Sequence, residues 1–157
     1  MRLTDVLTTD LIQIPLNGKH RDDCIHELID LLVKHSKIKN KETIFQAVLE
    51  REKIMTTGVG NGIAIPHCKH QDSPDFAVCL GVNKDGVDFE AIDKKPVKTI
   101  FLLVGPENNP GLHIKLLSRI SRLMSNEELR KQLLSSENSD SAFKIIHDEE
   151  NYFFEID

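Results

Sequence analysis

Tryptophan is absent from the chain, tyrosine occurs once, and aromatics make up 5% of its 157 residues. Few rings are therefore available for stacking on bases. Positive charge is scarce too: 20 lysines and arginines against 25 acids leave a formal net charge of −5, where a nucleic-acid binder would carry a basic footprint. Long apolar runs are missing, since none approaches the roughly 18 residues of a spanning helix. The first ten residues, MRLTDVLTTD, hold charges where a signal peptide would place its apolar core. The three cysteines are an odd number without CxxC spacing, which argues against a disulfide framework and for a reducing compartment. These absences predict a cytoplasmic protein with no direct membrane insertion and no nucleic-acid partner. No repeat, low-complexity tract or linker-like run divides the chain, so one domain over residues 1–157 is expected, burying about two-thirds of its unfolded surface.

What is present falls into two periodicities. Ile25, Leu28, Ile29 and Leu32 form the stripe of an amphipathic helix, and Ile44, Phe45, Val48 and Leu49 mark a second one opening near Asn40. FAVCLGV (Phe76–Val82) and VKTIFLLV (Val97–Val104) are nearly continuous apolar runs, as in strands covered on both faces. Asp85-Gly86 supplies turn chemistry before the weaker strand VDFEA, which predicts a hairpin. Asn109-Pro110 reads as cap and first residue of a helix reaching about Met124. Ser125 with Glu128 has the spacing of a capping box, and Ser139 is placed to cap a last helix. Helices at both chain ends flanking a cluster of strands predict an α/β sandwich with a mixed β-sheet.

The stretch TTGVGNGIAIPHCKH (Thr56–His70) is the densest in chemistry. Gly58, Gly60 and Gly62 permit positive φ and close approach by a ligand. Their GxGxG spacing is not the GxGxxG of dinucleotide sites, and the strand follows the loop instead of preceding it. No Gly-Lys-Ser/Thr occurs, which excludes the phosphate-binding P-loop. Taken alone, the glycines make a tight turn.

Arg51 follows Ile44 and Val48 by seven and three residues, on the stripe of its helix. It reads either as a structural ion pair or snorkelling side chain, or as a clamp for a phosphoryl group, which a planar guanidinium suits. At 4 Å and an effective dielectric near 20, one such charge supplies up to ~4 kcal/mol of Coulomb attraction. His113 shares the apolar stripe of Leu116, Leu117 and Ile120, early in its helix, where the dipole disfavours a cationic imidazole. It is either a satisfied core histidine or a neutral donor to an oxyanion. His67 ends the apolar run GIAIP just after a proline, and neutral imidazole is one of the few side chains able to take a phosphoryl group near neutral pH without a separate base. HCKH (His67–His70) offers zinc-type ligands, but positions i, i+1 and i+3 are not a usual zinc spacing, and nothing activates the Cys68 thiol. The other histidines read as surface or helix-face residues.

Leu49–His70 (LEREKIMTTGVGNGIAIPHCKH) resembles the signature of enzyme IIA components of the fructose/mannitol type in the bacterial phosphotransferase system. Val87–Val97 (VDFEAIDKKPV) and Leu112–Met124 (LHIKLLSRISRLM) are similar to that family's later motifs in the same order, and the likeness runs from about Leu3 to Glu150. The resemblance implies a phosphohistidine carrier. His67 would accept a phosphoryl group from HPr or its nitrogen-branch paralogue, with His113 as supporting donor and Arg51 as phosphate clamp. Asn61, Gly60 and Gly62 would complete the pocket or only shape the loop. No metal, nucleotide or other cofactor is implied. Two branches of the family fit: a nitrogen-regulatory one in which phosphorylation is a switch read by target proteins, and a sugar-specific one that relays phosphate to enzyme IIB. A non-catalytic binding or metal-binding module is the remaining alternative.

Overall fold

The computed structural model describes residues 1–156, with strands β1 (Ile12–Gln13), β2 (Gly58–Gly60), β3 (Ile63–Ala64), β4 (His67–Lys69), β5 (Ala77–Val87) and β6 (Val97–Gly105). The helices are α1 (Arg21–Lys34), α2 (Lys41–Ile54), α3 (Pro110–Met124), α4 (Glu127–Ser135) and α5 (Ser139–Ile156). β6 is the axis of the sheet, and every residue in it except Lys98 is buried. Burial of successive residues on a strand means that both faces are covered, as its unbroken apolar run predicts. β5 runs antiparallel along one edge of β6, and β1 adds parallel to the far side of β5. The mixed sheet flanked by helices is the fold class expected from the sequence.

Along the other edge of β6 lie β3 and β4, end to end and both parallel to it: Ala64 pairs with Ile100, and His67 with Leu103. Pro66 interrupts them because it has no N–H to give. The ladder is carried across the gap by the Leu103 amide, which donates to the Pro66 carbonyl at 3.1 Å. β2 closes this edge, antiparallel to β3. α1 and α2 pack on each other and reach the sheet at β5 and β4, while α3, α4 and α5 meet it at β6, β5 and β1.

Three local expectations need correction. Asp85-Gly86 does not close a hairpin: β5 runs straight through it to Val87, which pairs with Val97. The Asn83 side chain accepts from the amides of Asp85 and Gly86 at 3.2 Å each, and Gly86 takes φ +84°, so the turn chemistry is spent on a bulge inside the strand. The tight hairpin is instead at Asn61-Gly62, between β2 and β3, where φ is +59° and +76°. Two successive positive φ values suit a type I′ turn, for which Asn-Gly is the favoured pair. Ser125 closes α3, and α4 is capped by Asn126, whose side chain accepts from the Leu129 amide at 3.2 Å. Similarly, Asn138 accepts from the Ser141 amide at 2.8 Å, while the Ser139 hydroxyl donates to the Ile12 carbonyl and ties α5 to β1. By contrast, the Asn109-Pro110 start of α3 is as expected, with the Asn109 side chain accepting from the Leu112 amide.

Gly81 in β5 sets the spacing between the sheet and the N-terminal segment, since a Cβ there would lie 2.3 Å from a methyl group of Leu16. Gly81→Ala should lower the unfolding free energy by about 1–3 kcal/mol through overpacking. Combined with Leu16→Ala, it should cost less than the sum of the two single changes in urea unfolding.

Candidate functional site

A cleft of about 590 Å³ opens where the end of α2, strand β4 and the start of α3 meet. Each element places one expected site residue on it: Arg51 in the last turn of α2, His67 at the first position of β4, and His113 in the first turns of α3. Lys69 and His70 line it as well, with exposed Ile54 and Ile114 at 81% and 62% accessibility.

His67 is held by its own strand. Its Nδ1 lies 2.7 Å from the Ile65 carbonyl oxygen. A carbonyl accepts only, so Nδ1 carries the proton and Nε2 keeps a lone pair. Burial pushes the His67 pKa below the ordinary histidine value; the bond to Ile65 works against this, and the nearby Arg51 charge adds to it. A neutral imidazole with its outer nitrogen unprotonated is the nucleophilic form.

His113 is 2% exposed, and among the described residues neither of its ring nitrogens has a hydrogen-bond partner. Buried polar atoms are normally satisfied, so a side chain left with both nitrogens orphaned beside a cleft is suited to a partner that arrives from outside. Its ring centroid is 5.6 Å from that of His67 and 6.1 Å from that of Phe76. The end of β6 makes room for it: a Cβ on Gly105 would lie 3.0 Å from His113 Nδ1 and 2.6 Å from the Phe76 ring. Burial, then the charges of His67 and Lys69, lower the His113 pKa to about 4. Two neighbouring imidazoles held neutral do not repel one another.

Arg51 is half-buried, and the position that its helix buries most deeply here is the next one, Glu52, at 4% exposure. At 3.6 residues per turn, Arg51 sits about 60° to one side of Val48 and Glu52 about 40° to the other. The stripe Ile44–Val48 therefore continues into Glu52. Arg51 Nη1 donates to the Met55 carbonyl at 3.0 Å, closing the helix end, and among the described residues it pairs with no carboxylate.

Asn61, Gly60 and Gly62 are not brought to this cleft. The β2–β3 turn points toward Asp93, whose carboxylate accepts from the Asn61 amide at 3.1 Å, and these residues border other hollows. The positive φ at Gly60 and Gly62 serves the turn. Cys68 faces the opposite way from its strand neighbours, and burial pushes its thiol up to about 12, leaving it neutral. Among the described residues, no group of three or more His, Cys, Asp and Glu is placed to hold a metal ion. Lys69 was readable from strand alternation, which puts it on the side of His67. His70, taken for a surface residue, is half-buried, and its Nδ1 accepts from the Asp72 amide at 3.0 Å. Glu52 had no sequence signal beyond its helical phase.

The family described as phosphoenolpyruvate-dependent sugar phosphotransferase system, EIIA 2, matches residues 5–149. The chain is 37% identical over 147 residues to the PTS system fructose-specific EIIABC component of Bacillus subtilis, covering 94% of this chain but 23% of that protein. It is 33% identical to the nitrogen regulatory protein of Pseudomonas aeruginosa, over 96% of this chain and 98% of the relative. The crystal structure of nitrogen regulatory protein IIA-Ntr from Neisseria meningitidis superposes with a TM-score of 0.86 at 27% identity, covering 92% of this chain and 98% of that one.

The His113 environment sets a pH dependence. An unfolded histidine takes its proton near pH 6.5, whereas His113 in the fold resists until about pH 4. The unfolded chain binds more protons across that window, so stability falls as the pH drops through it and is unaffected by this group above it. Between pH 7 and 4 the wild type should lose about 3 kcal/mol more than a His113→Leu variant, read from urea unfolding at stepped pH.

Proposed function

The chain belongs to the phosphoenolpyruvate-dependent sugar phosphotransferase system EIIA 2 family, and on that premise we propose that it is a phosphohistidine carrier with His67 as the phosphoryl acceptor. The observation that carries this reading is the pairing of His67 Nδ1 with the Ile65 carbonyl, which leaves Nε2 as a lone-pair nitrogen on a cleft shared with Arg51 and His113. Nε2 attacks the phosphorus of the donor's phosphohistidine. A new N–P bond forms as the donor's N–P bond breaks, its electron pair returning to the donor imidazole. His67 Nδ1–H stays on the Ile65 carbonyl throughout. The Arg51 guanidinium and a ring N–H of His113 hold the migrating oxygens, charge stabilisation being the main contribution a protein makes to phosphoryl transfer. Ile54 and Ile114 would be covered by a docked partner, excluding water from the N–P bond. Residues 1–157 act as one unit, and the step needs no metal, nucleotide or other cofactor.

The donor in this reading is HPr or its nitrogen-branch paralogue, and the protein works in the cytoplasm; among the described residues no helix is long and apolar enough to cross a membrane. The acceptor side divides. As a regulator, the protein would present the roughly −2 charge of the phosphoryl group at this cleft to target proteins, switching their docking. The near full-length match to the Pseudomonas aeruginosa nitrogen regulatory protein supports this branch. The second reading, a sugar-specific EIIA relaying phosphate to enzyme IIB, is favoured by the 37% identity to the Bacillus subtilis fructose-specific component.

Incubation with labelled phosphoenolpyruvate, enzyme I and each HPr paralogue should place acid-labile label on the wild type and none on His67→Ala. Arg51→Ala should slow transfer by roughly 10–100-fold, the worth of a charge-assisted hydrogen bond. Faster transfer from the nitrogen-branch paralogue supports regulation, and faster transfer from HPr supports sugar transport. Label retained by His67→Ala would refute His67 as the acceptor.

A further inference from the structure

Glu52 is a carboxylate buried to 4% exposure at the end of α2, next to a residue of the cleft but facing away from it. Both of its oxygens are used on one residue: Oε2 accepts from the Thr57 amide at 2.7 Å, and Oε1 accepts from the Thr57 hydroxyl in a short bond. Thr57 is itself buried, and its carbonyl accepts from the Ile65 amide at 3.1 Å, one residue beyond the β2–β3 ladder. The Ile65 carbonyl in turn holds His67 Nδ1 at 2.7 Å. An unbroken path of hydrogen bonds therefore links the Glu52 carboxylate, through Thr57 and Ile65, to the ring of the acceptor histidine.

The path is mechanical, not electronic. The N–H and C=O of Thr57 belong to different peptide groups, as do those of Ile65, so polarisation does not pass along it by conjugation. What passes is position. Pro66, with no N–H and a fixed φ, stiffens the last link between Ile65 and His67. The need for an anchor is local: Met55 leaves α2 in extended conformation and is exposed.

We infer that Glu52 is a positioning residue for His67, fixing the Ile65 carbonyl through Thr57 so that the imidazole is held in its Nδ1–H form with Nε2 toward the cleft. The transfer part of this inference rests on the carrier role proposed above; the tautomer part does not. The charged and titratable groups around His67 are Arg51 on α2, Lys69 on β4 and His113 on α3; the Glu52 charge, though turned to Thr57, also raises the His67 pKa.

The test uses the full chain with uniform ¹⁵N labelling, at a pH above the His67 titration, and reads the imidazole tautomer from two-bond ¹H–¹⁵N spectra. Wild type should show His67 as the Nδ1–H form. Glu52→Ala should show mixed tautomers, with phosphoryl transfer from the donor slowed at least tenfold. Glu52→Gln is the conservative rescue: its amide oxygen accepts from the Thr57 N–H, its NH₂ donates to the Thr57 hydroxyl, and both readouts should return to within about threefold of wild type. Thr57→Val removes one of the two bonds without touching Glu52 and should give an intermediate mixture, which keeps the test intact where Glu52→Ala does not fold. A pure Nδ1–H tautomer in both Glu52→Ala and Thr57→Val would overturn the inference. Equal impairment of Glu52→Gln and Glu52→Ala would also overturn it, because charge and not position would then be the active property. Absence of label on His67 in every protein, with tautomers changing as expected, would refute the carrier role and leave the positioning role standing.

Discussion

The hydrogen bond from His67 Nδ1 to the Ile65 carbonyl is the constraint on which the rest of the site depends, because it decides which ring nitrogen is nucleophilic. A free histidine ring can rotate and exchange tautomers. Here the ring reaches back over Pro66 to a carbonyl two residues earlier, and that carbonyl belongs to a segment laid along β6 with partners before and after it. The Ala64–Ile100 pair holds the segment on one side of the proline, and the His67–Leu103 pair holds it on the other. A sheet position thus becomes a tautomer. Were the ring on a mobile loop, the same residue types would give no fixed nucleophile.

Around that fixed point, burial outweighs the Ile65 bond and the Glu52 charge, both of which favour the protonated His67 ring. Desolvation keeps His67 and His113 neutral; the Arg51 charge reinforces this at His67, and the Lys69 charge at both. Neutral imidazoles are what a nucleophile and an oxyanion donor need. The cost is stored at His113, whose two nitrogens are buried without partners among the described residues. Leaving a buried polar group unsatisfied costs about 1–3 kcal/mol, which in the proposed transfer a phosphoryl oxygen would offset as it forms the missing bond. Gly105 and Phe76 shape the seat that holds the ring in this position.

Much of this was legible in the sequence, and the exceptions share a cause. The apolar runs gave β5 and β6 because burial on both faces leaves a continuous signature. Asn109-Pro110 gave the start of α3 because cap chemistry is local, and the position of His113 followed from it. His67 and Arg51 could be singled out by residue type and phase. The failures concern choices made by tertiary partners. Asp85-Gly86 and Asn61-Gly62 have the same turn chemistry, yet only the second joins two strands, since Val87 finds a partner in Val97 and keeps β5 going. Asn61, Gly60 and Gly62 lie five to seven residues from His67 in sequence, but the turn they form is drawn toward Asp93. Glu52 carries no sequence signal of its partners, because nothing in a sequence shows that a carboxylate will be held by the amide and hydroxyl of a residue five positions on.

Arg51 and Glu52 show how one helix end can serve two purposes at once. Successive residues on a helix diverge by about 100°, so neighbours with opposite charge point into different surroundings. Arg51 reaches the Met55 carbonyl and the cleft, while Glu52 reaches inward to Thr57. Had the two side chains paired with each other, the guanidinium would face the cleft already neutralised, and Thr57 would lose its anchor. Here the two diverge, because the Glu52 carboxylate is taken by Thr57 and the guanidinium by the Met55 carbonyl. The same turn of α2 therefore keeps a positive charge available on the cleft and spends a carboxylate on the chain that leads to His67. A shift of one residue in the phase of this helix, in either direction, would bring Glu50 or Glu52 to the position Arg51 holds on the cleft and put a carboxylate in place of its cation.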